Sequence, residues 1–136
     1  MSKFIKIKPI KTTEKELFSA CVAQSNAILK ETNETHNIDT RFAPPHNCWL
    51  ENCLYLFSKH NKELKKHNIH NIEDFLKISD EDIYALMTKY ISNSAIGSAI
   101  KFSMETLIKT YRPETKTDFR KLIAYSLTKP KYRKEI

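Results

Sequence analysis

The chain has 136 residues, of which 40% are hydrophobic and 29% charged, a composition that fits one globular domain and excludes an intrinsically disordered chain. Residues 1–6 carry no apolar run of signal-peptide length, and no segment approaches the roughly 20 apolar residues of a membrane span. We therefore expect a cytoplasmic protein without membrane contact. The only glycine, Gly97, disfavours tight hairpins and glycine-rich phosphate loops, which leaves helices as the main element.

The apolar periodicity predicts an all-α fold, a compact single-domain bundle of five to six helices. We assign residues 1–12 to a basic N-terminal arm, residues 13–128 to the helical domain and residues 129–136 to a basic C-terminal tail. Within the arm, Lys3 to Lys8 alternates partly between lysine and apolar residues, which predicts a short extended segment or edge strand ending at Pro9.

Caps and prolines set the predicted helix boundaries. Thr13 and Glu16 form a capping box that begins a first helix over about residues 13–32. Residues 33–46, with Pro44 and Pro45, predict a long loop, because proline is not tolerated inside a helix without a kink. The remaining helices are predicted to begin at Asn47, Asn71, Ser79, Ser94 and Thr117. They cover about residues 47–66, 72–76, 80–91, 94–111 and 117–127.

The net charge of +7 is distributed unevenly along the chain. Residues 1–11 carry four lysines and no acid, and residues 109–136 carry nine basic residues against three acids. The segment between them has ten basic and thirteen acidic residues. Basic ends on a mildly acidic body are expected when terminal segments contact a polyanion. The candidate nucleic-acid contacts are Lys3, Lys6, Lys8, Lys116, Arg120, Lys121, Lys129, Lys131, Arg133 and Lys134.

This charge pattern favours a small non-enzymatic protein that associates with DNA or RNA, alone or as a subunit of a nucleoprotein complex. Only four of the 23 basic residues are arginine, whose planar fork reads guanine and phosphate, so we expect backbone contact without strong sequence preference. The alternative is a protein-interaction module, such as a viral or mobile-element inhibitor or adaptor that docks on an acidic partner surface. The same basic residues also fit a solvated tail that maintains solubility.

Two segments resemble DNA- or protein-binding helices. The run Ser92-Asn93-Ser94-Ala95-Ile96-Gly97-Ser98-Ala99-Ile100 is similar to the second helix of a helix-turn-helix, which presents its N-terminal residues to base edges. Residues 64–82 resemble the opening helices of SAM-like and helix-hairpin-helix domains, but they lack the glycine hairpin that approaches phosphate in the latter. The competing interpretation of residues 79–102 is a packing corner between two helices, with ordinary capping at Ser92 or Ser94 in place of a phosphate site.

Histidines and cysteines could carry metal or catalytic chemistry only if the fold brings them together. The candidates are His46, Cys48, Cys53, His60, His67 and His70. Their spacings match no paired zinc ligand set, and Cys53 and His60 stand roughly 10 Å apart along a helix. Arg41 and His46 form an R-x4-H pair similar to that of some helical ribonucleases, although two prolines lie between them. The sequence thus indicates no catalytic residue, metal ligand or cofactor.

The three cysteines also have a structural interpretation. Cys21, Cys48 and Cys53 are odd in number and lie within apolar periodic segments. This arrangement predicts reduced thiols in the core and no disulfide framework.

Overall fold

The computed structural model describes residues 13–36 and 44–110, together with residues 120, 121, 123, 124 and 126–129 near the C-terminus. These residues form a compact all-α bundle without strands, so the predicted fold class is confirmed. The helices are α1 (Glu14–His36), α2 (Pro44–Leu64), α3 (Asp80–Tyr90) and α4 (Ala95–Thr110). Two 3₁₀ segments, Lys65–His67 and Ile72–Lys77, join α2 to α3, and every described position over 120–127 is helical.

The second helix is the centre of the bundle. All but one of residues 49–57 are buried, among them Trp49, Leu50, Tyr55 and Leu56, each at most 1% exposed. A helix that is apolar on every side must be surrounded by other elements. Accordingly, α2 contacts α1, α3, α4 and both 3₁₀ segments.

The C-terminal half of α1 packs against the described residues between 120 and 129. The hydroxyls of Thr32 and Ser126 lie 3.0 Å apart, and both side chains are fully buried. Lys129 Nζ lies 2.5 Å from Glu31 Oε2 at the rim of this contact. Residues near both ends of the chain therefore complete one core.

Two of the predicted caps are confirmed in detail. Glu16 N donates to Thr13 Oγ1 at 3.1 Å while Thr13 N donates to Glu16 Oε1 at 3.2 Å, which closes the capping box of α1. Asp82 N donates to Ser79 Oγ at 3.0 Å at the start of α3.

The predicted long loop over residues 33–46 is wrong at both ends. The first helix continues to His36, and α2 begins at Pro44 instead of at a cap on Asn47. Proline fits the first turn of a helix because the backbone N–H groups there have no partner within the helix.

Other boundaries shift less or cannot be compared. The predicted helix over 72–76 is a 3₁₀ segment, Ile72–Lys77. The N-terminal arm and its extended segment, the cap at Thr117 and residues 130–136 lie outside the described residues. Within the described residues, none of the helices combines the length and apolar character needed to cross a bilayer.

Candidate polyanion-binding surface

Three of the ten predicted nucleic-acid contacts lie among the described residues: Arg120, Lys121 and Lys129. The other seven lie outside them: Lys3, Lys6, Lys8, Lys116, Lys131, Arg133 and Lys134. The three described side chains differ in their surroundings, and the difference decides which can face a ligand.

Arg120 is engaged inside the fold. Its Nη2 donates to Asp80 Oδ1, and Asp80 has no exposed side-chain surface. Trp49 Nε1 donates to the same carboxylate oxygen at 3.0 Å, and the guanidinium carbon lies 5.0 Å from the centre of a Trp49 ring. The Arg120 side chain is 20% exposed. Its charge therefore serves mainly to compensate a buried carboxylate.

The other two described contacts lie at the surface. Lys129 is paired with Glu31, so its ammonium already has an acidic neighbour. Lys121 is exposed and forms no ion pair with any described residue. Among Arg120, Lys121 and Lys129, only Lys121 has no acidic partner among the described residues.

A larger group of uncompensated charges lies where α2 ends. Lys62, Lys65 and Lys66 are all exposed, and none pairs with an acid in the described part of the chain. We name these three residues the lysine end. The negative end of the α2 dipole attracts cations and favours basic residues at this place. Like charges one turn apart nevertheless repel each other, which offsets part of that benefit.

Two further side chains, His67 and Lys89, line one cavity beyond the lysine end. His67 follows Lys66 directly, and it lines a surface cavity of about 360 Å³ together with Lys89 at the end of α3. Ile69, Ile78 and Leu86 supply the apolar wall of this cavity, and Asp82 also lines it. We name it the α3 groove. The basic group thus extends from the end of α2 to the end of α3.

Tyr90 organises this part of the surface. Its hydroxyl lies 2.9 Å from His67 Nε2, and its ring stacks on the imidazole of His60 with centroids 6.0 Å apart. His60 has a non-helical backbone (φ −130°, ψ 29°), which kinks α2, and its Nδ1 lies 3.0 Å from Glu63 Oε1. These contacts fix the 3₁₀ segment that carries Lys65 and Lys66 against the end of α3.

The histidines and cysteines do not assemble a metal site among the described residues, where no three potential ligands converge. The three cysteines are free thiols; Cys21 and Cys53 are buried and Cys48 is half-buried. Burial raises the pKa of Cys21 to about 11 and also raises the pKa of Cys48 and Cys53. Since the thiolate is the reactive form, these groups are weak nucleophiles at neutral pH.

The start of α4, considered above as a base-reading helix or phosphate site, already holds an anion. Ser94 Oγ accepts from Gly97 N at 3.0 Å as the helix cap, and it donates to Glu14 Oε2 at 2.7 Å. Lys101 Nζ is bound to Asn93 Oδ1 at 2.6 Å and to the Ile91 carbonyl at 3.0 Å. This arrangement is a packing corner, because Lys101 and the start of α4 both have their partners within the fold.

Comparison of the chain with known protein families, with curated proteins and with solved structures finds no significant match.

Proposed function

We propose that this chain is a small non-enzymatic protein of the cytoplasm that binds the phosphate backbone of nucleic acid, alone or within a nucleoprotein complex. The observation that supports the proposal best is the lysine end. Its three ammonium groups are exposed and lack acidic partners among the described residues. Closely spaced cations that repel one another gain most when phosphates neutralise them and condensed counterions are released.

The described residues change which basic side chains we propose as contacts, compared with those expected from the sequence. Arg120 and Lys129 each have an acidic partner, so Lys121, Lys89 and the lysine end are the candidate contacts of the folded body. The terminal lysines and arginines outside the described residues remain part of the proposed interface. Lysine-rich contact implies low sequence preference, because an ammonium acts as a point charge.

The test is binding to labelled single- and double-stranded DNA and RNA at several salt concentrations. Replacing Lys65 and Lys66 by Gln should weaken binding to duplex DNA and lower the slope of log affinity against log salt by about 2. A matched control replaces Lys30 and Lys109 by Gln, which removes the same charge from exposed positions elsewhere on the surface. A chain truncated after Thr128 measures the contribution of the tail in the same assay.

The outcomes separate specific contact from net charge. Equal losses for the two double variants would show that only total charge matters, and would overturn the assignment to the lysine end. No binding by the intact chain near physiological salt would overturn the nucleic-acid proposal as a whole.

One observation favours the second candidate, a protein-interaction module of the inhibitor or adaptor kind that docks on an acidic partner. Phe102 on α4 is 70% exposed, the largest exposure of any large hydrophobic side chain among the described residues. Exposed aromatic side chains are typical of protein interfaces. In this case Phe102→Ala should weaken capture of the partner while leaving nucleic-acid affinity unchanged, and an excess of DNA or RNA should not displace the partner.

A further inference from the structure

A second surface cavity, of about 260 Å³, lies where α1, α2 and α4 meet. Phe18 contributes from α1, Cys48, Glu51 and Asn52 contribute from one face of α2, and Ile96 and Ile100 contribute from α4. We name it the Glu51 cavity. It shares no residue with the lysine end or the α3 groove, so what it binds is independent of the proposed function.

The carboxylate of Glu51 is the unexplained feature of this cavity. It is half-buried, yet it has no hydrogen bond and no ion-pair partner among the described residues. Every other position between residues 49 and 57 is buried and, Asn52 apart, apolar or aromatic. Burial raises the pKa of Glu51, and no neighbouring cation opposes that effect. A partly desolvated carboxylate without a partner costs folding free energy, which a bound cation would recover.

The remaining walls define what kind of cation fits. Phe18, Ile96 and Ile100 provide apolar surface against which the hydrocarbon part of a ligand can pack. Ser103 Oγ, which accepts from Asn52 Nδ2 at 3.1 Å, is a second oxygen acceptor on the wall. An ammonium group carries three donors and can use both the carboxylate and the hydroxyl oxygen. The volume of the cavity lies below the usual range for drug-sized ligands, which restricts the hydrocarbon part of the ligand to a single ring or a short chain.

From this geometry we propose that the Glu51 cavity binds a small organic ammonium ion, a protonated primary amine on a compact apolar body. The ammonium pairs with the Glu51 carboxylate, and the apolar body lies against Phe18, Ile96 and Ile100. The site is thus selective for positive charge, although the protein as a whole carries a net charge of +7.

Three probes of equal size but different charge test the proposal on the full chain: 2-phenylethylammonium, 2-phenylethanol and phenylacetate. Titration followed by NMR should show the ammonium bound roughly tenfold or more tightly than the alcohol, as expected for a charge-assisted hydrogen bond. The acetate, which general attraction to a basic protein would favour, should bind most weakly. Equal affinity for all three, or the tightest binding for the acetate, overturns the proposal.

Two single-residue variants test whether the preference for the ammonium arises at Glu51. Glu51→Gln keeps the shape of the side chain and should abolish the preference for the ammonium over the alcohol. Glu81→Gln, at an exposed position in the first turn of α3, should leave the preference intact. Removal of a desolvated charge should not impair folding, which thermal unfolding of Glu51→Gln checks. Persistence of the preference in Glu51→Gln places the ammonium elsewhere and overturns the proposal.

Cys48 supplies a local readout, since it lines the same cavity and is the one cysteine of the three that is only half-buried. Occupancy by the ammonium should slow alkylation of Cys48 by iodoacetamide at mildly alkaline pH, below the range in which an alkylammonium loses its proton. Affinity should also fall as the pH drops through the raised pKa of Glu51, because the protonated carboxyl no longer attracts a cation. An unchanged alkylation rate at saturating probe overturns the assignment to this cavity.

Discussion

Asp80 is the first residue of α3, and its carboxylate is completely withdrawn from solvent between Arg120 and Trp49. The position favours a negative charge, because the first turn of a helix carries the positive end of the dipole. The dipole alone does not compensate a carboxylate without solvent, so the guanidinium of Arg120 is needed as well. One arginine thus connects the C-terminal helical residues to the start of α3.

Arg120→Ala should lower the free energy of unfolding by about 3 kcal/mol, because it leaves the Asp80 carboxylate buried without its cation. Urea titration followed by circular dichroism measures the change. Lys121→Ala is the matched control: it removes a positive charge from the next, exposed position and should change stability by no more than about 0.5 kcal/mol. Equal effects of the two variants would contradict the structural role of Arg120.

At the scale of the element, Gly97 shows why α4 meets the end of α3 so closely. A Cβ atom built on Gly97 would lie 2.2 Å from the Ser92 carbonyl oxygen and 2.9 Å from Ile91 Cγ2. Backbone atoms cannot move aside as the end of a flexible side chain can. The turn over residues 91–94 is therefore compatible only with glycine at the third position of α4.

Gly97→Ala should destabilise the protein by about 1–3 kcal/mol through this overlap, although alanine is the better helix former by about 1 kcal/mol. The neighbouring exposed position offers the contrast: Ser98→Ala should be neutral or slightly stabilising. Thermal and urea unfolding of both variants give the comparison. A gain in stability for Gly97→Ala would show that α4 can shift away from the turn without loss.

The elements that sequence predicts well are those whose signals are local. The capping box of Thr13 and Glu16 and the cap at Ser79 involve residues three positions apart, so the sequence contains the whole interaction. The start of α2 is harder to predict. Pro44 and Pro45 on their own indicate a helix break, and whether they occupy a first turn instead depends on the path of the preceding segment.

The candidate sites were predicted less well, because they depend on tertiary neighbours. Arg120 lies 40 positions from Asp80, and no periodicity or spacing marks the two as a pair. The lysine end was visible as a run of lysines, but its lack of acidic partners is a property of the folded surface. The Glu51 cavity combines residues from three helices and has no sequence signature.

At the scale of the whole molecule, α2 is the helix that becomes exposed to solvent only when the bundle unfolds globally. Its residues 53–57 are all buried, and the helix contacts elements from both halves of the chain. Amides in the interior of a cooperative core exchange only through global unfolding, whereas helix ends open locally.

Native-state hydrogen exchange should therefore give residues 53–57 a free energy of opening equal to the global value from urea titration. Residues 33–36, in the last turns of α1, should exchange with a clearly lower free energy, because a helix end has few packed neighbours. Slower exchange in the last turns of α1 than in the centre of α2 would contradict the central position of α2.

The contact between α1 and the C-terminal helical residues also bears on synthesis. Thr32 and Ser126 are 94 positions apart in sequence, yet their hydroxyls are buried against each other. While the ribosome is still translating the segment that joins them, Thr32 and Glu31 lack the contacts that they make with Ser126 and Lys129 in the folded protein. This part of α1 therefore lacks its packing partner in the nascent chain until Ser126 has emerged from the ribosome, and a chaperone that shields the helix would act in this interval.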